Sequence, residues 1–568
     1  MAVSVGDELY NLHVMNIQTL YSRLQCDILS KYGREPQLSI DRIPLYEEFY
    51  RNFLVLIESI GSRDHMLLII SIPSGVPPRS IVPCTVSSHS GDLNHKIDVP
   101  SELVDLFSAF ASSGNPELVC CLRQICLFTY KSKSHVVTPD QESAAIAGFV
   151  SRNARCQTYS ASFFRRKSEE GSELSSLLLI SRLLFNMVLD RCDWTSIVPS
   201  HGPGAVSDSK RGIDKWRSLD SCTTRLCDKF YPISEWFVPT PDRYDYRSAR
   251  YSDGACKLAI VPKDKRGPRV ICTQPVGLMW IQKGQQRLIE RTIESSPLLR
   301  SRRLFQGTSV GSSIKFDNQE QNGSLALESS RTREFSTIDL KDASDLVSSG
   351  LVRFLSNKRN AQFLFCSRSM YVKIADELVK LHMFAPMGSA MCFPVESLVF
   401  WCIATAATLI HGGVTYEFLK RTRAPYKWLT NNLSEVFVFG DDMLVRRETT
   451  GYVCMCLESV GFVPNVRKTF CEGFYRESCG VDAYRGVQLT IARCQRLSLT
   501  SMSDAYATID LSNRLRHIGM INTSDWLEIQ VNTFLGFNLA VGNYGQSLFS
   551  RSWPVGCNAS SSALSHNL

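Results

Sequence analysis

The chain has 568 residues, with 63 Lys and Arg against 55 Asp and Glu for a formal charge of +8, 44% hydrophobic residues and 20 cysteines. This length exceeds one ordinary domain, and the composition excludes collagen-like, disordered and disulfide-stapled miniature proteins. The small positive excess permits a polyanionic partner without requiring one, and cysteines scattered without a repeated CxxC unit read as buried thiols in a reducing compartment.

The start, MAVSVGDELYNLHVMN, lacks a basic-then-apolar signal pattern, so secretion is not expected. Residues 1 to 200 combine a strand over Met66–Ile72 with helical periodicity over Leu103–Ala111 and Leu174–Leu189, and offer no site that can be named. After HGPGAV at His201–Val206, the segment Lys257–Ile271, KLAIVPKDKRGPRVI, reads as strand, basic turn and strand. Helices are expected over Leu278–Ile293 and Ala343–Leu355, with a strand over Thr337–Leu340 between them. Phe393–Ile410 reads as a buried core helix, its apolar run Ser397–Ile410 being shorter than a bilayer requires. Val436–Val445, VFVFGDDMLV, alternates like a hairpin turning on Gly440-Asp441-Asp442. Beyond about Leu497 the pattern is mostly helical, ending in a Ser/Asn-rich tail at Asn558–Asn567.

Two adjacent carboxylates between apolar strands need a reason. A second strand end, STIDLKDASD at Ser336–Asp345, delivers Asp339. If the two strands lie side by side, Asp339 meets Asp441 and Asp442, and such a group repels itself unless cations intervene. Two Mg²⁺ ions about 3.5 to 4 Å apart are the usual solution, and they suit phosphoryl transfer. Lys263, Lys265, Arg266 and Arg269 on the basic turn are candidates to screen a triphosphate. Gly388 and Ser389 in PMGSAM, ahead of the core helix, let a ribose or nucleic acid approach the backbone closely, and Lys468 in NVRKTFCEGFYRE is a candidate general acid.

In this order, LAIVPKDKRGPRVICTQP, TIDLKDASD, APMGSAMCFPVES, VFGDDMLV and VGFVPNVRKTFCEGFYRESCG resemble the motifs of the replicase, the RNA-dependent RNA polymerase beta subunit, of positive-strand RNA bacteriophages of the levivirus family. The resemblance covers roughly residues 257 to 490. It implies an α+β, right-handed polymerase fold of fingers, palm and thumb, with an antiparallel palm sheet backed by helices. Residues 1–200 would contribute to fingers and scaffold and 201–330 would form fingers with the basic hairpin. Residues 331–490 would form the palm, with about 356–385 inserted toward the fingers, and 491–568 the thumb and tail.

The resemblance further implies metal binding by Asp339, Asp441 and Asp442 with Leu340, the cofactor being two Mg²⁺ ions for which Mn²⁺ substitutes. Lys468 corresponds to the general acid. Lys263, either Lys265 or Arg266, and Arg269 correspond to triphosphate-binding positions, and Ser344, Asp345, Gly388 and Ser389 to the ribose region. Where the wider polymerase class commonly has Asn after the Gly of the second motif, this chain has Ser389. The implied activity is primer-independent RNA synthesis on single-stranded RNA from nucleoside triphosphates, in the cytoplasm of an infected bacterium and without a membrane. Its implied host partners are translation elongation factors Tu and Ts and a ribosomal small-subunit protein. A reverse transcriptase would share the carboxylates, but Leu340–Asp345 holds no aromatic gate. A polymerase of a related fungal or mitochondrial RNA virus would share the motifs. An inactive RNA-binding scaffold would keep the fold, but it would not need three intact aspartates and a basic hairpin.

Overall fold

The computed structural model describes residues 18–31, 33, 36–59, 69–71, 81–87, 94–130, 132, 137–166, 173–208, 212, 214–217, 223–236, 251–264, 267–301, 303–305, 308–309, 311–496, 499–542 and 550–552. Lys265, Arg266 and Leu497, the ends of the expected strand Met66–Ile72, the start MAVSVGDELYNLHVMN and the tail Asn558–Asn567 lie outside them.

The fold is a mixture of helices and largely antiparallel sheets. At its centre the helix Cys392–His411 is apolar on every face, so it has no side to offer water and is buried along nearly its whole length. By length and composition it would pass as a membrane span, yet most of it is enclosed by the protein itself. It packs on the helix Glu173–Leu189, where Ser181 Oγ donates to Cys402 O at 3.4 Å, and on the helix Thr450–Ser459.

A three-stranded antiparallel sheet of Phe437–Phe439, Asp442–Arg446 and Phe335–Ile338 lies against this core, the strand Asp442–Arg446 in the middle. Alternate residues face opposite ways. Val438, Met443, Val445 and Ile338 join the cluster around the central helix, whereas Phe335, Phe437 and Leu444 pack on Leu325 and Ala326 of the helix Glu320–Thr332. Both faces are therefore covered, which explains why Phe437–Phe439 and residues 443–445 are apolar at every position rather than at every second one.

The basic segment forms the expected hairpin, Cys256–Asp264 against Gly267–Thr273, with a register shift between Val261 and Asp264. A second hairpin, Tyr371–Ile374 with Glu377–Lys380, extends the same sheet through a parallel pairing of Cys256 with Val372.

The structure corrects the expected helix Ala343–Leu355, which is two helices, Ala343–Leu346 and Ser349–Leu355. Val347 O accepts from Phe384 N and Ser349 N donates to His382 O, both at 2.7 Å, so tertiary hydrogen bonds take the backbone groups that a continuous helix would use. Ser348 then caps the second helix, accepting from Leu351 N at 3.1 Å. The strand before it ends at Ile338, leaving Asp339 just beyond the ladder.

A second core joins the two ends of the chain. Tyr46, Phe49, Phe53, Phe107 and Phe110 pack with Tyr475, Tyr484, Leu511 and Leu515. Asp27, in a helix over 18–31, accepts from Asn522 N at 2.8 Å and from Thr523 N at 2.9 Å, capping the helix Ile521–Leu535 from outside. All described cysteines are free thiols, most of them buried.

Candidate active site

The turn between the two carboxylate strands requires glycine. Gly440 has φ +63°, and a Cβ there would stand 2.5 Å from Phe393 Cε2. Its N–H donates to Ser397 Oγ at 3.1 Å, and Ser397 Oγ donates to Phe393 O at 2.8 Å. The central helix thus pins the turn that presents Asp441 and Asp442.

Met443 pairs with Ile338, so the neighbouring Asp442 and Asp339 stand at the same end of the sheet. Asp442 Oδ2 accepts from Cys479 N at 3.0 Å. Asp339 accepts from Asn465 twice, at its main-chain oxygen (2.8 Å) and at Oδ2 (2.7 Å). Lys468 Nζ lies 3.9 Å from Asp339 Oδ1 and 3.5 Å from Glu477 Oε1. The structure therefore brings Asp339, Asp441, Asp442 and Lys468 together.

Burial pushes the Asp441 carboxyl up, and the charge of Asp339 adds to it. Burial and the charge of Asp441 push Asp442 up to about 7. Burial alone would lower the Lys468 ammonium, but Glu477 and Asp339 outweigh it and hold it above its ordinary value.

Among the described residues, no three His, Cys, Asp or Glu side chains already form a metal-binding group. Asp339, Asp441 and Asp442 nonetheless have the donor chemistry for a hard divalent cation: carboxylate oxygens, partly desolvated and mutually repelling. Leu340 is buried in the main core cluster, so only its carbonyl oxygen can serve a cation.

Beside this group lies a cavity of about 720 Å³. Lys263 and Arg269 of the basic hairpin line it, as do Ser344, Asp345, Gly388, Ser389 and Asp441. Gly388 has φ +109°, and a Cβ there would meet Cys272 O at 2.5 Å. With Cys272 N donating to Met387 O at 2.8 Å, this close approach seats the second motif on the basic hairpin. Ser389 Oγ donates to Gln282 Oε1 at 2.9 Å and accepts from Met391 N at 3.2 Å, so its hydroxyl is engaged in shaping the loop. Lys265 and Arg266 lie outside the described residues.

Several contributors carry no role in the sequence reading. Glu396 lines the cavity, and burial together with Asp441 pushes its carboxyl well above the usual range. Glu477 is the ion-pair partner of Lys468. Both stand inside quoted motifs, an acid in an apolar helix and an acid in a buried strand, and that mismatch was the available signal. Ala144, Gly148 and Arg152 of the helix Pro139–Arg166 also line the cavity; nothing local in the sequence marks them.

The sequence matches the family model described as RNA replicase, beta-chain, over residues 85–525. It is 29% identical over 282 residues to the RNA-directed RNA polymerase beta chain of Enterobacteria phage fr, covering 50% of this chain and 44% of that one. To the RNA-directed RNA polymerase beta chain of Escherichia phage MS2 it is 31% identical over 261 residues, covering 46% and 41%. The matched stretch thus spans less than half the length of these curated relatives. Among solved structures, the RNA-dependent RNA polymerase of a human picorbirnavirus aligns over 74% of this chain and 87% of its own, with 12% identity and a TM-score of 0.34. With its ordered motifs inside residues 85–525, the chain belongs to the RNA replicase beta-chain family.

Proposed function

We propose that the chain is an RNA-directed RNA polymerase that replicates a positive-sense RNA phage genome inside a bacterial cell, built as fingers, palm and thumb. The observation that carries the reading is one cavity whose lining includes both Lys263 and Arg269 and the acids Asp441 and Asp345. Cations that screen a triphosphate thus share a cavity with Asp441, a carboxylate suited to a divalent ion, and with Asp345, which meets the ribose.

In this reading, the 3′-hydroxyl of the growing RNA attacks the α-phosphorus of the bound nucleotide, and the bond to the pyrophosphate oxygen breaks. Asp339, Asp441 and Asp442, with the carbonyl of Leu340, would hold two magnesium ions, which supply the charge that acidifies the hydroxyl and stabilises pyrophosphate. Lys263 and Arg269, with Lys265 and Arg266 in the same turn, neutralise the triphosphate. Ser344 and Asp345 meet the ribose, and Gly388 and Ser389 shape the loop that receives it. Lys468, kept charged by Glu477 and Asp339, protonates the leaving pyrophosphate, while the proton lost by the 3′-hydroxyl passes to solvent. Recruitment of elongation factors Tu and Ts and a small-subunit ribosomal protein belongs to the same proposal.

The test supplies purified protein with single-stranded RNA, Mg²⁺ and labelled ribonucleotides, beside Asp441→Asn. Incorporation by the parent only, with RNA binding retained in both, supports the reading. Equal incorporation by the variant removes the metal role of Asp441, and efficient use of deoxynucleotides removes the RNA product.

A further inference from the structure

The helix Pro139–Arg166 comes from the part of the sequence without motifs, yet it walls the nucleotide cavity. Ala144, Gly148 and Arg152 recur at four-residue spacing and so share one face. Small residues open the wall and a cation closes it.

Arg152 Nε donates to Asp345 Oδ2 at 2.9 Å, and one of its terminal nitrogens lies 3.7 Å from Asp342 Oδ1. A Cβ on Gly148 would stand 3.0 Å from a terminal nitrogen of Arg152, so glycine at 148 leaves the space the guanidinium occupies. Asp342 sits at the N-cap position with φ +51° and makes no side-chain cap bond. Its carboxylate is instead turned toward Arg152.

The helix is also docked by contacts other than this ion pair. Asn153 donates to Lys380 O at 2.9 Å and accepts from His382 N at 2.7 Å. Cys156 Sγ donates to Asp345 O at 3.2 Å, and Ser160 Oγ accepts from Gly350 N at 3.2 Å. Arg152 is therefore available for a task beyond packing.

Asp345 is largely buried, and burial, with the charge of Asp342 adding to it, holds its carboxyl above the ordinary range even though Arg152 and the Met387 N–H favour the charged form. An ionised carboxylate only accepts hydrogen bonds. With Oδ2 held by Arg152, lone pairs of Asp345 remain for a donor in the cavity, and a ribose 2′-hydroxyl is such a donor where a deoxyribose has none.

We infer that Arg152 is a positioning residue for sugar recognition, holding Asp345 in the orientation that accepts from the 2′-hydroxyl of the incoming ribonucleotide. The inference rests on the polymerase reading above. Without the guanidinium, Asp345 is a buried acid facing Asp342 and loses its orientation toward the sugar.

The experiment compares the parent with Arg152→Gln, Arg152→Lys and Gly148→Ala in full-length protein on an RNA template. It measures kcat and KM for a ribonucleoside triphosphate and its 2′-deoxy counterpart, the equilibrium binding of both, and the melting temperature. Arg152→Gln is expected to lower the ribose-over-deoxyribose preference about tenfold, chiefly through KM for the ribonucleotide, with Arg152→Lys recovering part of it. Gly148→Ala should shift the preference in the same direction with the charge retained. An unchanged preference, with both nucleotides used less well by a variant that melts like the parent, would overturn the inference and leave Arg152 a docking contact. If Arg152→Gln fails to fold, an unchanged preference in Gly148→Ala overturns it equally. Absence of RNA synthesis by the parent is a separate result, visible before any variant is made, and it removes the polymerase reading together with this one.

Discussion

Met443 lies opposite Ile338 at the end of an antiparallel ladder, and one residue beyond that end stand Asp442 and Asp339. The register alone fixes that meeting. Slipping the strand by one residue would exchange the two faces of the sheet. Met443 would leave the cluster it shares with Ile338, and Leu444 would leave Phe335 and Phe437. Packing on both faces therefore sets the spacing of the carboxylates.

Because Asp441 and Asp442 are buried beside one another, a divalent cation should stabilise the protein measurably. Millimolar Mg²⁺ is expected to raise the melting temperature of the parent, each tenfold excess over the dissociation constant adding about 1.4 kcal/mol. The double variant Asp441→Asn/Asp442→Asn should show no such shift and should melt no lower than the metal-free parent. A variant that still responds to Mg²⁺ would sink the assignment of these residues to the cation.

Gly440→Ala should disable catalysis more than folding. The added Cβ meets Phe393 at 2.5 Å in a backbone with φ +63°, a strain of about 1 to 3 kcal/mol. Relief requires the turn to move off Ser397, shifting Asp441 and Asp442. Incorporation assays and thermal melts together check this; full activity with an unchanged melt would refute it.

Arg476 is fully buried and donates to the carbonyls of Phe335 (2.7 Å), Gly473 (2.8 Å), Tyr475 (2.6 Å) and Cys471 (3.0 Å). Burial lowers its pKa to about 10, yet the charge persists at neutral pH. Arg476→Met would orphan these carbonyls, and each unsatisfied buried group costs about 1 to 3 kcal/mol. A marked drop in melting temperature is expected, with activity falling as well because Phe335 begins the strand that leads to Asp339. Stability within about 0.5 kcal/mol of the parent, the range of ordinary surface changes, would contradict the role given to it.

The Ser501–Asp504 capping box at the helix Met502–His517 gives a pH-dependent prediction. Burial pushes the Asp504 carboxyl up, but Arg496 at 2.7 Å and the bonds from Ser501 and Thr500 outweigh it and leave the group at about 2. A carboxyl depressed on folding contributes stability that is complete above its unfolded value and lost as the pH falls toward its folded one. Asp504→Asn should therefore speed amide exchange in this helix at pH 6 by an amount equivalent to about 1 kcal/mol. The difference from the parent should shrink as the pH approaches 2; a difference that is constant over that range would exclude the charge as its source.

Much of the site was readable from residues alone because its pieces are local. Strand and turn patterns place Asp441 and Asp442 on one hairpin, and the apolar run Phe393–Ile410 announces a helix that has to be buried. The broken helix at Val347 and Ser348 was not readable, since its cause is hydrogen bonding to His382 and Phe384, which follow a hairpin distant in sequence. The wall formed by Ala144, Gly148 and Arg152 was likewise invisible, because small residues and one arginine on a helix have no meaning until a partner faces them.

By itself, then, the sequence determined the kinds of chemistry available: carboxylates at strand ends, cations on a hairpin, and a family resemblance carried by ordered motifs. Tertiary structure decided which of them meet. The register of Met443 on Ile338 aligned Asp442 with Asp339, the buried strand bearing Glu477 supplied the partner of Lys468, and a helix some two hundred residues upstream delivered Arg152 to Asp345. Local periodicity encodes which face of an element is apolar, whereas the pairing of faces is selected by the total surface they bury together, a property of the whole chain.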